Sequence, residues 1–417
     1  MQDKKRKHIS LTALYMIVIC LFPITTTLVN EGMVNKLLFS ALIGLQLAML
    51  FDRKATRRTI VMTMVLAVNF AYVVSHTKFP VANTNLFIYY PFYIIYTYFM
   101  CDNSSSVVAW FCKYRKYVTS IIVIWTVLVG FSVFLPSSYY VKEGGASYFG
   151  SFSGSVFRLG QAAVFIQVLA IMVQLFYGYK KAILFHILPM FCYFMGSSRT
   201  YLIVGLCFSL VAWYFYCGNK KKFYRSLIPM ALMVLLAISV TSMGDKIAHT
   251  LDEDQYGDFW FKITSSRSVL WEANFALWKR APLMRKLLGV WIDFSYRASG
   301  HWAHNDFVEL IGSFGIVGLC HYLISIYILF RTEKGQVKMP KFMSMVLVFA
   351  WFFNAFFNMH YVYFCAMLCY PILVLGIKYY VNQNAAVVAD NSNEELIEYP
   401  DEDEELVKRI NNRARLK

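Results

Sequence analysis

Apolar runs of about 18 to 22 residues recur along this chain, separated by short polar links. That is the length an α-helix needs to cross a hydrocarbon core of about 30 Å. About twelve such stretches can be drawn, at roughly 9–29, 34–51, 59–75, 85–101, 117–135, 158–177, 182–196, 200–217, 226–243, 307–330, 342–358 and 361–380. The fourth, seventh and eleventh are short or closely flanked by others. The pattern predicts an all-α polytopic membrane protein with about twelve transmembrane helices. The first run, Ile9 to about Val29, follows a basic start and is too long for the core of a signal peptide, so it reads as a retained span.

The links carry the orientation. Basic clusters fall at Lys4–Lys7, Arg53–Arg58, Lys113–Lys116, Lys180–Lys181, Lys220–Arg225 and Arg331–Lys341. With twelve spans all of them, and both termini, lie on one side, which the positive-inside rule makes cytoplasmic. The other links hold few basic residues: Lys36, Lys78, Lys142 and Arg158. Two polar stretches are then external, Pro136–Phe157, rich in Gly, Ser and Tyr, and the long loop 244–306. Within the loop, RSVLWEANFALWKR (267–280) reads as a helix, capped by Ser265 or Ser266 and stopped by Ala281-Pro282. Trp271 and Trp278 lie seven apart, which suits a helix lying at the membrane interface. Residues 1–380 form the membrane domain. Residues 381–417 change composition to an acidic and then basic run, expected to be a charged cytoplasmic tail, disordered or weakly helical.

Composition agrees: 58% hydrophobic residues and only 15% charged, against about 25% charged in soluble domains. The formal charge of +16 comes largely from those orientation clusters, so it does not argue for nucleic acid as a partner. Nine cysteines are scattered with no metal or redox spacing and read as small buried side chains.

The candidate chemistry is concentrated in external segments. Arg199 sits in GSSRT, a short link between two apolar runs, where its guanidinium and the amides of the following helix could hold an anion. The plain alternative is a snorkelling side chain on lipid phosphate. Arg267 opens the loop helix and would be a second cation for the same anion; its alternative is an ordinary surface arginine. His301 and His304 are three apart, a weak metal motif with no third ligand, so no metal is expected. Asp306 and Glu309 read as an N-cap and its capping-box partner at the start of the tenth span. His304 then precedes a helix N-terminus, whose dipole should keep the imidazole neutral and able to take a proton. Asn305, His301 and Arg158 are further candidate substrate contacts. Intramembrane polar residues are scattered, with no file of carboxylates of the kind that marks an ion-coupled transporter.

Three segments, GSSRTYL (196–202), SSRSVLWEANFALWKRAPLMRKLLGV (265–290) and HWAHNDFVELIGSFGIVGL (301–319), together resemble the O-antigen polymerase and O-antigen ligase superfamily, in order and spacing. The resemblance covers about residues 145–330; GSFSGSVFRLG (150–160) matches more weakly. It implies a GT-C-like glycosyltransferase of the bacterial cytoplasmic (inner) membrane, with its active site on the outer face. The donor would be a glycan on undecaprenyl diphosphate, with no nucleotide sugar, no cofactor and no required metal. Arg199 and Arg267 would hold the diphosphate, and His304 would activate the acceptor hydroxyl with inversion at the anomeric carbon. The expected product is a surface polysaccharide (O-antigen, capsule or exopolysaccharide), made by a polymerase acting on lipid-linked repeat units. The alternatives are a ligase that transfers the glycan to lipid A core or another final acceptor, and, from another class, a flippase for lipid-linked glycans. Expected partners are the lipid-linked oligosaccharide, membrane lipid and a chain-length regulator.

Overall fold

Helix α7 (Val156–Tyr177) is the axis of the bundle, for a reason visible in its residues. After Arg158 it carries no charge, apolar side chains run round every face, and Gly160, Ala162, Ala163 and Ala170 keep it thin. A helix that is apolar all round belongs in an interior, and small residues let neighbouring helices approach. The computed structural model describes residues 10–28, 33–51, 55–78, 86–141, 147–241, 243–244, 247, 264, 267–333 and 335–394. In it every residue from Leu159 to Leu175 is buried. Around α7 pack α1 (Leu11–Leu28), α6 (Arg115–Ser132), α8 (Ile187–Met195), α9 (Arg199–Cys217) and α17 (Phe364–Glu394). Gln167, the most buried polar side chain of α7, is fully engaged. Its Nε2 donates to Gly205 O (3.3 Å) and Ser209 Oγ (3.0 Å), and its Oε1 accepts from Tyr193 OH (2.9 Å), as a buried amide requires.

An outer set comprises α2 (Met33–Phe51), α3 (Arg57–His76), α4 (Leu86–Asp102), α5 (Ser104–Lys113), α10 (Lys220–Ser239), α15 (Gly315–Phe330) and α16 (Lys341–Phe357). Helix α10 buries only Phe223 and leaves Ile228, Leu232, Leu235 and Leu236 exposed, the surface of a helix that faces lipid. Among the described residues of the long loop stand three short helices, α11 (Arg267–Arg280), α12 (Leu283–Leu288) and α13 (Phe294–Ser299), and α14 (Asp306–Ser313) follows where the loop ends. The stretch 136–157 contains the one sheet among the described residues, β1 (Tyr139–Val141) antiparallel to β2 (Ser147–Phe149), with Tyr139 opposite Phe149.

Among the described residues eight helices are long and apolar enough to cross a membrane: α1, α2, α3, α6, α7, α9, α10 and α17. Helices α15 and α16 are apolar but shorter. The fold is therefore an all-α, polytopic membrane architecture. Three expected spans are corrected. The seventh is not one helix: Lys180–His186 is 3-10 and only the nine residues of α8 are α-helical, with Pro189 in the first turn, where its missing N–H costs nothing. The tenth breaks at Phe314 into α14 and α15. Gly315, at φ +70°, makes the break, because a Cβ there would lie 2.3 Å from Leu287 O. The twelfth does not stop at 380. It continues to Glu394 through NQNAAVVAD, which holds no Pro or Gly to end it. The acidic-basic remainder of the tail lies outside the described residues, as do Ser265 and Ser266.

The bundle has two distinct ends. At one, Ile292 N donates to Thr77 Oγ1 (3.1 Å), Trp271 Nε1 to Ala303 O (2.7 Å) and Asn358 Nδ2 to Tyr201 OH (3.1 Å). This gathers the links after α3, α12, α13 and α16 with the start of α9. At the other, Arg58 pairs with Asp102 at 3.0 Å, Lys378 Nζ donates to Arg331 O (2.8 Å), and the Arg115 guanidinium sits 5.1 Å over the Tyr177 ring. Residues of five of the six basic clusters lie at this far end; the sixth, Lys4–Lys7, is outside the described residues.

Candidate functional site

Arg199 and Arg267 each open a helix, whereas His301 and His304 lie in the link between α13 and α14. Gly196-Ser197-Ser198 turns the chain from α8 into α9: Gly196 N donates to Cys192 O (2.9 Å), and Ser197 adopts φ +47°. Arg199 follows, half-buried, as the first residue of α9. Val156 packs against Gly196, so Arg158, two residues on, enters the same end beside this turn. Arg267, also half-buried, is the first residue of α11, and its Nη1 donates to Phe357 O at the end of α16. Burial lowers the Arg267 pKa; Arg199 pushes it further down, while Tyr363 opposes the shift. The charge of Arg199 thus reaches Arg267.

His304 is built with more care. Its backbone is left-handed, φ +48°, a region few residues other than glycine occupy and one that tends to mark functional sites. The residue before it is held at both polar groups: Ala303 N donates to Ser295 Oγ (3.2 Å) and Ala303 O accepts from Trp271 Nε1. Ser295 in turn donates to Glu309 Oε2, and Ser313 donates to Glu309 Oε1 (2.9 Å). Trp271, Ala303 and Val308 close into a small apolar cluster with Phe356 at its edge. The expectation of Trp271 at a membrane interface is therefore corrected: its ring is an internal anchor for the His304 loop.

The pKa of His304 is lowered to about 4, by burial first, then by the charges of Arg267 and His301. The imidazole is neutral, as the sequence suggests, but the expected helix dipole is not the leading cause. Its Nδ1 is buried and has no hydrogen-bond partner, which leaves a ring nitrogen uncommitted. His301 is exposed, near enough to act on His304.

The capping assignment also changes. Asn305, not Asp306, caps α14: its Oδ1 accepts from Phe307 N (2.9 Å) and Val308 N (3.1 Å). Asn305 is 1% exposed, so its carbonyl oxygen positions a helix rather than a substrate. Glu309 is no capping-box partner; it is the buried brace described above. Asp306 is fully buried and accepts from Tyr322 OH (2.6 Å). Desolvation raises its pKa well above the usual carboxylate range, with Tyr322 and the nearby His360 and Tyr361 amides opposing.

The structure therefore brings Arg199, Arg267, His304 and His301 into one electrostatic group and places Arg158 at its margin. It adds the link between α16 and α17, which the sequence reading missed. Phe357 supplies the carbonyl on Arg267, Tyr363 lies close enough to Arg267 to affect its charge, and Asn354 engages His360 (2.9 Å) behind them. Its signal was present: NMHY at 358–361 is a polar interruption between two apolar runs. Among the described residues no group of three or more His, Cys, Asp and Glu is placed to hold a metal ion. Chemically, the arrangement offers paired guanidiniums for a multiply charged anion and, beside them, a neutral base. Fold and site thus define a polytopic helical membrane protein with a polar centre at one end. No protein-family model matches the chain, and no curated protein matches its sequence.

Proposed function

We propose that this chain is a membrane glycosyltransferase that polymerises lipid-linked repeat units of a bacterial surface polysaccharide. In this reading it has twelve spans and a GT-C-like arrangement in the cytoplasmic membrane, with both termini cytoplasmic and the His304 end outside. Arg199 and Arg267 bind the undecaprenyl diphosphate of the donor and stabilise the charge that grows on it as it leaves. His304 takes the proton of the acceptor hydroxyl, whose oxygen attacks the anomeric carbon from the face opposite the diphosphate. The new glycosidic bond forms as the sugar–phosphate bond breaks, with inversion.

One observation carries the reading: His304, on a left-handed backbone with a buried and unpartnered Nδ1, stands where the charge of Arg267 reaches it, and Arg199 acts on Arg267 in turn. In this reading the two arginines meet the diphosphate, and the hydroxyl acceptor uses the base. The test is the purified protein with an undecaprenyl diphosphate-linked repeat unit as sole substrate. A ladder of products is expected. Transfer only when lipid A core is supplied would make the chain a ligase instead. Uptake of the lipid across vesicles with no new glycosidic bond would make it a flippase.

A further inference from the structure

A second polar feature lies at the opposite end of the bundle, and the transfer reaction above makes no use of it. Lys378 is fifteen residues into α17 from Tyr363, about 22 Å along the helix. There α3, α4, α5, α15 and α17 enclose a partly open cavity of about 300 Å³, at the small end of the range for small-molecule sites. Ile328 and Leu375 give it an apolar wall. Its remaining lining is polar and of both signs.

The donors are arranged around it with capacity to spare. Arg58 spends Nη2 on Asp102, while its Nε is buried with no partner. Lys378 donates to Leu329 O (3.2 Å) and Arg331 O (2.8 Å), which leaves one of three ammonium hydrogens. Ser104 and Ser105 line the cavity from the first turn of α5. That turn has no side-chain cap, and the Asn103 amide donates to Phe99 O (3.0 Å). Opposite these, besides Asp102, stands one acid among the described residues, Glu333, exposed at the rim and close enough to Lys378 to act on its charge. Asp102 is already spent on Arg58, Thr56 N (3.0 Å) and Thr59 Oγ1 (2.5 Å).

We infer that this cavity binds the headgroup of a zwitterionic phospholipid carrying a primary ammonium, such as phosphatidylethanolamine. The phosphodiester lies against Arg58, Lys378 and the Ser104–Ser105 turn, the ammonium reaches Glu333, and the acyl chains leave along Ile328 and Leu375. A purely anionic ligand would place uncompensated charge beside Glu333. A purely cationic one would face Arg58 and Lys378. Pockets of basic residues between helix ends are a known way to hold lipid headgroups, and here the single acid sets which headgroup.

The test uses the full purified chain in detergent, without glycan substrate, so it is independent of the transfer reaction. Phosphatidylethanolamine, phosphatidylglycerol and phosphatidylcholine with the same acyl chains, and inorganic phosphate alone, are offered in turn, and bound molecules are counted by native mass spectrometry. One phosphatidylethanolamine per protein should be retained about tenfold better than phosphatidylcholine, whose quaternary nitrogen has no N–H for Glu333. Glu333→Gln, a change at an exposed side chain, should shift the preference to phosphatidylglycerol. Lys378→Gln should weaken both lipids. Equal retention of the three lipids, phosphate binding as tightly as lipid, or an unchanged preference in Glu333→Gln would overturn the inference.

Discussion

The two ends of the bundle place Arg58 and Arg267 in different company. At the far end Arg58 is neutralised by a protein carboxylate: Asp102, 1% exposed, takes Arg58 at 3.0 Å together with two groups of α3 and its cap. At the other end Arg267 meets a carbonyl, Phe357 O, and its charged neighbour is Arg199. Carboxylates are not lacking there. Asp306 faces Tyr322, and Glu309 faces Ser295 and Ser313. Among the described residues Arg58 thus has a carboxylate partner and Arg267 a carbonyl, while Arg297 at the Arg267 end is paired with Asp293 at 2.6 Å. The Arg58–Asp102 pair ties α3 to the end of α4 and still leaves Arg58 Nε open for the ligand inferred above. In the proposed reaction Arg267 serves the donor diphosphate instead.

The sharpest way to break this contrast is at His304. His304→Asn keeps a side chain that tolerates the left-handed backbone and removes the base. Transfer should fall about 10²–10⁴-fold, with the thermal unfolding midpoint of the detergent-solubilised protein unchanged. Near-normal product length would remove His304 from the chemistry.

Arg267 tests the coupling itself. Arg267→Gln should lower transfer about 10²–10³-fold, the scale of losing one preorganised charge donor. Its pH profile is more telling. Arg267 lowers the His304 pKa, now about 4, so the wild-type rate should fall only as pH drops through about 4. Removing the positive charge lets the His304 pKa rise, so the acid limb should move to higher pH. Burial is the larger cause and persists, so the limb should stay below the ordinary histidine value. An unmoved limb would mean that the two residues do not share a site.

At the far end the opposite outcome is expected. Asp102→Asn strips Arg58 of its counter-charge and should cost about 1–3 kcal/mol of stability, with Arg58 partly solvated. Activity per folded molecule should hold. A selective loss of transfer would contradict the division of labour between the ends.

Much of this was legible in the chain. The 267–280 helix appears with its expected bounds and stops at Ala281-Pro282, because local signals sufficed. The sequence put Arg199, Arg267 and His304 on one face through a count of twelve spans; among the described residues eight helices are long and apolar enough to cross, and the three residues meet through the charge of Arg267. What escaped depends on contacts distant in sequence. Trp271 finds Ala303 thirty-two residues away, and nothing local separates that anchor from an interfacial tryptophan. Gly315 breaks the tenth span only because Leu287 and Gly289 pack against it. The cap of α14 was misplaced by one residue because Asn and Asp are nearly equal at that position.

That last ambiguity yields the smallest and most discriminating test. If Asn305 acts as a cap, its oxygen is committed to Phe307 N and Val308 N, and any residue that caps as well should replace it. Asn305→Ser should keep stability and transfer close to wild type, since Ser ranks with Asn at N-caps. Asn305→Ala should cost about 1 kcal/mol and a few-fold in rate, through a looser start to α14 and a less fixed His304. If Asn305 instead held a substrate, Ser and Ala would both raise KM and neither would lower the unfolding midpoint. Measuring KM and unfolding on the same two variants separates a residue that shapes the site from one that touches what binds there.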